Sequence, residues 1–109
     1  SYYQEALVLS KELKNKRGIT IRLGNIGALY TERKQYKEAE QYLLEALGID
    51  TTIGYLIHTQ NTHKVLSDLY EKIGRFQLAL NHYKKSMELK DTLFNDEKNK
   101  ELTRKEMNY

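Results

Sequence analysis

The sequence contains no cysteine, no proline and no tryptophan, and each absence removes a class of explanation. Without cysteine there is no disulfide framework, no zinc-cysteine site and no thiol nucleophile, while the compartment stays open, because reducing and oxidising surroundings both admit such a chain. Without proline nothing obliges a helix to break, so turns must rely on glycine, Asn, Asp and Thr. Long hydrophobic runs are missing as well. No stretch approaches the roughly 18 apolar residues that would span a bilayer, and Ser1 opens directly into an amphipathic pattern with no signal peptide, as in a piece cut from a longer protein. Nor is one charge sign in strong excess: 18 basic residues against 15 acidic ones, well mixed, give a net charge of +3. That small excess is weak evidence for nucleic acid, and no nucleic-acid partner is expected for this segment.

What the chain does hold is an ordinary composition, 39% hydrophobic and 30% charged over 109 residues, with room for one all-helical domain. Its most informative feature is an internal offset of forty. Tyr3, Ala6, Leu7 and Leu9 align with Leu43, Ala46, Leu47 and Ile49, and these with Tyr83, Ser86, Met87 and Leu89 (43 − 3 = 40; 83 − 43 = 40). A period of this size marks stacked units that bury their apolar faces against one another. A binding scaffold is therefore expected rather than an enzyme.

Tyr2, Tyr3, Ala6, Leu7, Leu9 and Leu13 recur at helical spacing and predict a first helix to about residue 16, ended at Gly18 after a basic turn. A second helix, from 19 to about 33, carries Ile19, Ile26, Leu29 and Tyr30, while Gly24, Gly27 and Ala28 leave a face that another helix can approach closely. A third spans about 37 to 49 and presents Ala39, Leu43, Ala46 and Leu47. Gly48, Asp50, Thr51, Thr52 and Gly54 then form a turn-prone cluster, with Thr51 or Thr52 as N-cap of a fourth helix. That helix carries Ile57, Val65, Leu66, Leu69, Tyr70 and Ile73 to Gly74. A fifth begins near Arg75 and Phe76 and carries Leu78, Ala79, Leu80, Tyr83 and Met87. Beyond it, Leu93, Phe94, Leu102 and Met107 in a charged background predict a helix that either continues the fifth or is re-capped at Asp91 or Thr92.

Within one unit the order is Ile26-Gly27-x-x-Tyr30, then Tyr36-x-x-Ala39-x-x-x-Leu43-x-x-Ala46-Leu47. The next unit reads Leu66-Ser67-x-x-Tyr70, Gly74, then Phe76-x-x-Ala79-x-x-x-Tyr83-x-x-Ser86-Met87. Small residues at Gly27, Ser67, Ala39 and Ala79 suit helix crossings, and Tyr30, Tyr70, Tyr36 and Phe76 suit the space beside them. This order resembles the tetratricopeptide repeat. The resemblance implies a right-handed superhelical array of antiparallel helix pairs, about two and a half repeats long. It divides the chain into the second helix of a truncated repeat (1–16), two full repeats (18–52 and 55–91) and an exit or capping helix (92–109). The chain departs from the usual pattern in its spacing of forty rather than about 34 residues. It also has Leu23 or His63 at the Trp-like position, and Lys11, Thr51 and Asp91 where the final proline belongs. The stretch from Tyr83 to Leu102 is similar to the last repeat and exit helix of Bacteroidetes-type bacterial sensor proteins, in which a repeat array precedes a coiled segment, a membrane span and a histidine kinase or DNA-binding domain. That likeness implies the input half of a signalling protein, cytoplasmic or periplasmic, tethered to the inner membrane at full length.

By the same family resemblance, the partner is a protein or peptide held on a concave surface lined by the first helix of each pair. The groove positions it implies are Gly24, Ala28, Thr31 and Glu32 in the first full unit, and Asn61, Lys64, Asp68, Glu71 and Lys72 in the second. A carboxylate clamp for chaperone tails needs Lys and Asn at recurrent groove positions. Lys64 matches, but Ala28 and Asp68 stand where Asn is wanted, so that ligand is not expected.

No cofactor or metal is expected. His58 and His63, five apart (63 − 58 = 5), point about 140° apart round a helix, and His82 lies on another helix. Gly24-Asn25-Ile26-Gly27 sits mid-helix, where packing explains it better than a nucleotide loop, and Ser10, Ser67 and Ser86 have no base at a suggestive spacing. Among the tyrosines, Tyr3, Tyr30, Tyr36, Tyr70 and Tyr83 are expected to pack, while Tyr2, Tyr42 and Tyr55 are less constrained and could contact a partner, with a structural role favoured for them too. The mixed charges from Lys98 to Lys105 predict a solvated helix. The alternative to groove binding is a structural role, with a homodimer formed where Tyr3 and Leu7 of the exposed end helix bury against another copy.

Overall fold

A computed structural model describes residues 2–107, with side chains for 4–102 and 104. Its helices are α1 (Tyr2–Glu32), α2 (Tyr36–Ile53), α3 (Leu56–Lys72) and α4 (Phe76–Met107). α1 packs along α2 and α3 along α4 as two antiparallel hairpins, α2 joins the hairpins by packing on α3, and α1 touches α3. The resulting slab measures 53 × 38 × 18 Å, two helix layers thick. The expected all-α helical-repeat solenoid is the observed architecture.

All three turns share one hydrogen-bond pattern. After α1, Gln35 N–H reaches Tyr30 O at 2.9 Å and Lys34 N–H reaches Thr31 O at 3.0 Å; after α3, Arg75 reaches Tyr70 O at 2.8 Å and Gly74 reaches Glu71 O at 3.1 Å. After α2, Tyr55 reaches Asp50 O at 2.9 Å and Gly54 reaches Thr51 O at 3.4 Å. These are Schellman turns, which need one left-handed residue each. Lys34 (φ 61°), Gly54 (φ 67°) and Gly74 (φ 80°) supply it, and Lys34 does so against its own side chain, at a cost of about 1–2 kcal/mol.

Two expected boundaries move, and of the two readings left open for the last helix the continuous one is observed. α1 runs through Gly18 without a break, so residues 2–17 extend the rod and do not fold back as a separate helix. Gly18 has no positive φ, unlike Gly54 and Gly74. A helical glycine costs only about 1 kcal/mol, too little to stop a helix alone. α2 continues to Ile53 because Thr51 and Thr52 turn their hydroxyls back onto Leu47 O and Gly48 O at 2.8–3.1 Å, so neither caps α3. α4 passes Asp91 and Thr92 unbroken, the Thr92 hydroxyl bonding Glu88 O at 3.0 Å.

The core is small and sits where the hairpins meet. Ala39, Leu43, Leu66, Leu69, Tyr70 and Ala79 form it, with Tyr30, Tyr36, Leu47 and Val65 packed around them. The small positions lie at the crossings, as the motif requires. A Cβ on Gly27 would stand 2.7 Å from Leu43 Cγ, and the Ser67 hydroxyl donates to Ala79 O at 2.7 Å. Two aromatic expectations fail: Phe76 (68% exposed) and Tyr83 (44%) face outward from α4, because among the described residues α4 packs on α3 alone and no helix covers that side. Two of the less constrained tyrosines take the favoured structural role. Tyr42 stacks on Tyr30, and Tyr55 stacks on His58 beneath the Arg17 guanidinium, 4.8 Å from the ring centre. The side chains of Tyr2, Tyr3, Lys105, Glu106 and Met107, and the whole of Tyr109, lie outside the described residues.

Candidate functional site

α3 is packed on three sides and bare on the fourth. Thr59, Thr62, His63, Leu66, Ser67, Leu69 and Tyr70 are buried, while Asn61, Lys64, Asp68, Glu71 and Lys72 are exposed. At 100° per residue the exposed set makes one stripe, and Ile57, 67% exposed, extends it by one turn. Lys64 Nζ lies 2.8 Å from Asp68 Oδ1, and that hydrogen bond foremost raises the lysine above its usual range. Both side chains are about half exposed, so the pair stabilises little and its charges remain open to a partner.

The α1 part of the expected groove is less open. Glu32 is exposed and Ala28 half-buried, but Gly24 is covered by the His58 ring, 3.4 Å from where a Cβ would sit. Thr31 is buried with its hydroxyl on Gly27 O at 2.9 Å, so it offers no surface and leaves the set of available groove residues. Ile57 was not among the expected groove positions, although its place one helical turn before Asn61 was a readable signal.

Beneath this face lies a polar clasp with no local signature in the sequence. Asp50 is fully buried at the end of α2. Its Oδ1 accepts from the Thr20 hydroxyl of α1 at 2.7 Å, and its Oδ2 from the Thr62 hydroxyl of α3 at 2.9 Å. His58 Nδ1 stands 2.9 and 2.8 Å from the two oxygens, which fixes the proton on that nitrogen. A buried carboxylate needs such partners, and this one ties three helices together. Thr62 Oγ1, 3.3 Å from the imidazole, sits at the same nitrogen as the carboxylate. Nucleophile activation needs the hydroxyl at the opposite ring nitrogen, so the arrangement is structural.

His63 and His82, expected on different helices, meet across the hairpin. Their Nδ1 atoms are 2.9 Å apart across α3 and α4, and Tyr70 stacks on His82 with ring centres 5.4 Å apart. Burial lowers both imidazoles below their ordinary value, and for His63 the neighbouring His82 and Lys85 add to the effect while Asp50 opposes it. Two neutral rings, one donating and one accepting, satisfy that geometry. Tyr70 itself is pushed up to about 12, by burial first and then by its hydrogen bond to Glu40. Among the described residues no three His, Cys, Asp or Glu side chains cluster to hold a metal ion, and no helix is long and apolar enough to cross a membrane.

Residues 23–92, 70 of 109 (92 − 23 + 1 = 70), match the family model of the tetratricopeptide repeat. The chain belongs to the tetratricopeptide repeat family. Comparison with curated proteins and with solved structures gives no match. The matched span holds most of the two hairpins and leaves out the projecting ends of α1 and α4. Tetratricopeptide repeats are in general non-catalytic modules of protein–protein interaction, and an exposed stripe on an otherwise packed α3 fits that use.

Proposed function

We propose that this tetratricopeptide repeat chain is a non-catalytic module that binds a protein or an extended peptide along the exposed faces of α1 and α3. The observation that carries the reading is the α3 stripe, Ile57, Asn61, Lys64, Asp68 and Glu71, held on a helix whose other faces are packed. It offers an apolar anchor, an amide and charges of both signs on a rigid element, the combination that gives specificity to a peptide site. The matching ligand carries one apolar side chain flanked by groups of mixed charge. Peptides selected from a random library on the immobilised chain test this. Ile57→Asp and Lys64→Glu should each weaken them about tenfold or more without altering thermal unfolding. Equal binding to the variants, or no selectable peptide, overturns it.

We further place the module in the input half of a bacterial signalling protein, on the likeness of its final stretch to sensor exit helices and on its forty-residue variety of the repeat. α4 supports this as an unbroken rod of 32 residues that could carry a change at the groove to a following domain. The flanking reading frame decides: a membrane span followed by a kinase or DNA-binding domain agrees, and a stop directly after Tyr109 contradicts.

A further inference from the structure

The middle of the chain forms an interface whose two halves reappear, uncovered, at its ends. Within the molecule, Tyr36, Leu43 and Leu47 of α2 pack with Leu66, Leu69 and Tyr70 of α3. Forty residues after the α2 set stand Phe76, Tyr83 and Met87 on α4, all exposed (76 − 36 = 83 − 43 = 87 − 47 = 40). Forty residues before the α3 positions stand Ile26 and Leu29 on α1, 37% and 44% exposed where Leu66 and Leu69 are 0% (66 − 26 = 69 − 29 = 40). The outward stripe of α4 reads Phe76, Leu80, Tyr83, Met87 and Phe94, an a/d-like spacing that asks for a helix partner.

We propose that the occupant is a second copy of this chain, so that α4 of one molecule packs antiparallel on α1 of the next and continues the array. The register follows from the interface already present. Asp50 meets Thr62, a sum of 112, and His58, a sum of 108. A sum near 110 sets α4 residue 80 beside α1 residue 30, and Leu102 beside Val8, both exposed (80 + 30 = 102 + 8 = 110). The rods match in length, 32 residues against 31, and both project at the same end of the slab, so the pairing covers the projecting halves too. The two contacting faces differ, which makes the contact heterologous and open-ended.

One position opposes it. Where Asp50 faces Thr62 inside the chain, the junction sets Lys90 opposite Arg22 of the next copy (90 − 50 = 62 − 22 = 40), two exposed cations. Association is therefore weak, and salt, which screens this pair, strengthens it.

Sedimentation of the 109-residue chain across concentration tests the proposal. The expected result is a series of masses in multiples of 12.9 kDa that grows with concentration. Phe76→Glu and Ile26→Glu should each give monomers, and mixing the two should restore a one-to-one dimer, since each keeps the face that the other has lost. Lys90→Asp, which recreates the acidic residue of the internal junction, should tighten association about tenfold. A helical spectrum unchanged in each variant separates lost contact from lost folding. A wild-type chain that is monomeric throughout, a dimer that only one of the two Glu variants abolishes, or mixed variants that remain monomeric overturns the proposal. Peptide binding at the α3 stripe uses another face, so it can fail or succeed independently.

Discussion

The two hairpins solve one packing problem with different chemistry. Where the first stacks Tyr30 on Tyr42, the second stacks Tyr70 on His82, forty residues later and at the same 5.4 Å between ring centres. Where the first lets helices cross over Gly27, with no side chain, the second uses Ser67 and must satisfy its hydroxyl on Ala79 O. Where the first has Leu23, the second has His63, which finds its partner in His82. Side-chain volume is the constraint held in both, while polarity drifts wherever a hydrogen-bond partner comes with it. At these three matched positions the first hairpin relies on steric fit, while the second adds hydrogen bonds, one of them between two histidines.

Removing the clasp that joins the hairpins should have the largest effect. Asp50→Ala leaves the Thr20 and Thr62 hydroxyls and His58 without their shared acceptor. Urea unfolding should show a loss of about 3 kcal/mol, in the range for breaking one side of a buried polar pair. The crossings should then separate the hairpins. Gly27→Val sets a branched side chain against Leu43 and should cost about 2–3 kcal/mol by overpacking. Ser67→Ala, which removes only one hydrogen bond, should cost about 1 kcal/mol. Equal losses at the two sites would dissolve the distinction.

The subtlest break is in pH. His63 and His82 titrate below 6.5 in the folded chain, and unfolded histidines near it. Above that value both states are neutral at these rings, and the pair contributes fully. As pH falls through it towards the lowered folded values, the unfolded chain takes up protons first and stability drops. Replacing the pair by the residues of the first hairpin, His63→Leu with His82→Tyr, should flatten that part of the stability profile between pH 7.5 and 5. A profile that keeps its slope would show that the pair does not carry it.

Recurrence made Gly27, Ser67, Ala39 and Ala79 legible as crossings, because volume in register is a property of the sequence itself. Gly18 misled because a glycine after a basic turn carries the same local signal whether the chain stops or runs on. Asp50 read as a turn residue for a similar reason. Its partners lie eight, twelve and thirty residues away, beyond any local pattern. The outward aromatics of α4 show the limit most plainly: a repeat fixes which side of a helix is apolar, but not whether a neighbour covers it. On the site, Asn61, Lys64, Asp68, Glu71 and Lys72 came from the family's groove register and Ile57 did not, whereas the closure of Thr31 depended on how the first hairpin packs.

The most direct test of the binding face is amide chemical-shift mapping of the chain as a selected peptide is added. The account predicts shifts concentrated at Ile57, Asn61, Lys64, Asp68 and Glu71, with Ala28 and Glu32 following and Phe76, Tyr83 and Met87 unmoved. Shifts confined to the outward side of α4, with the α3 stripe silent, would contradict it.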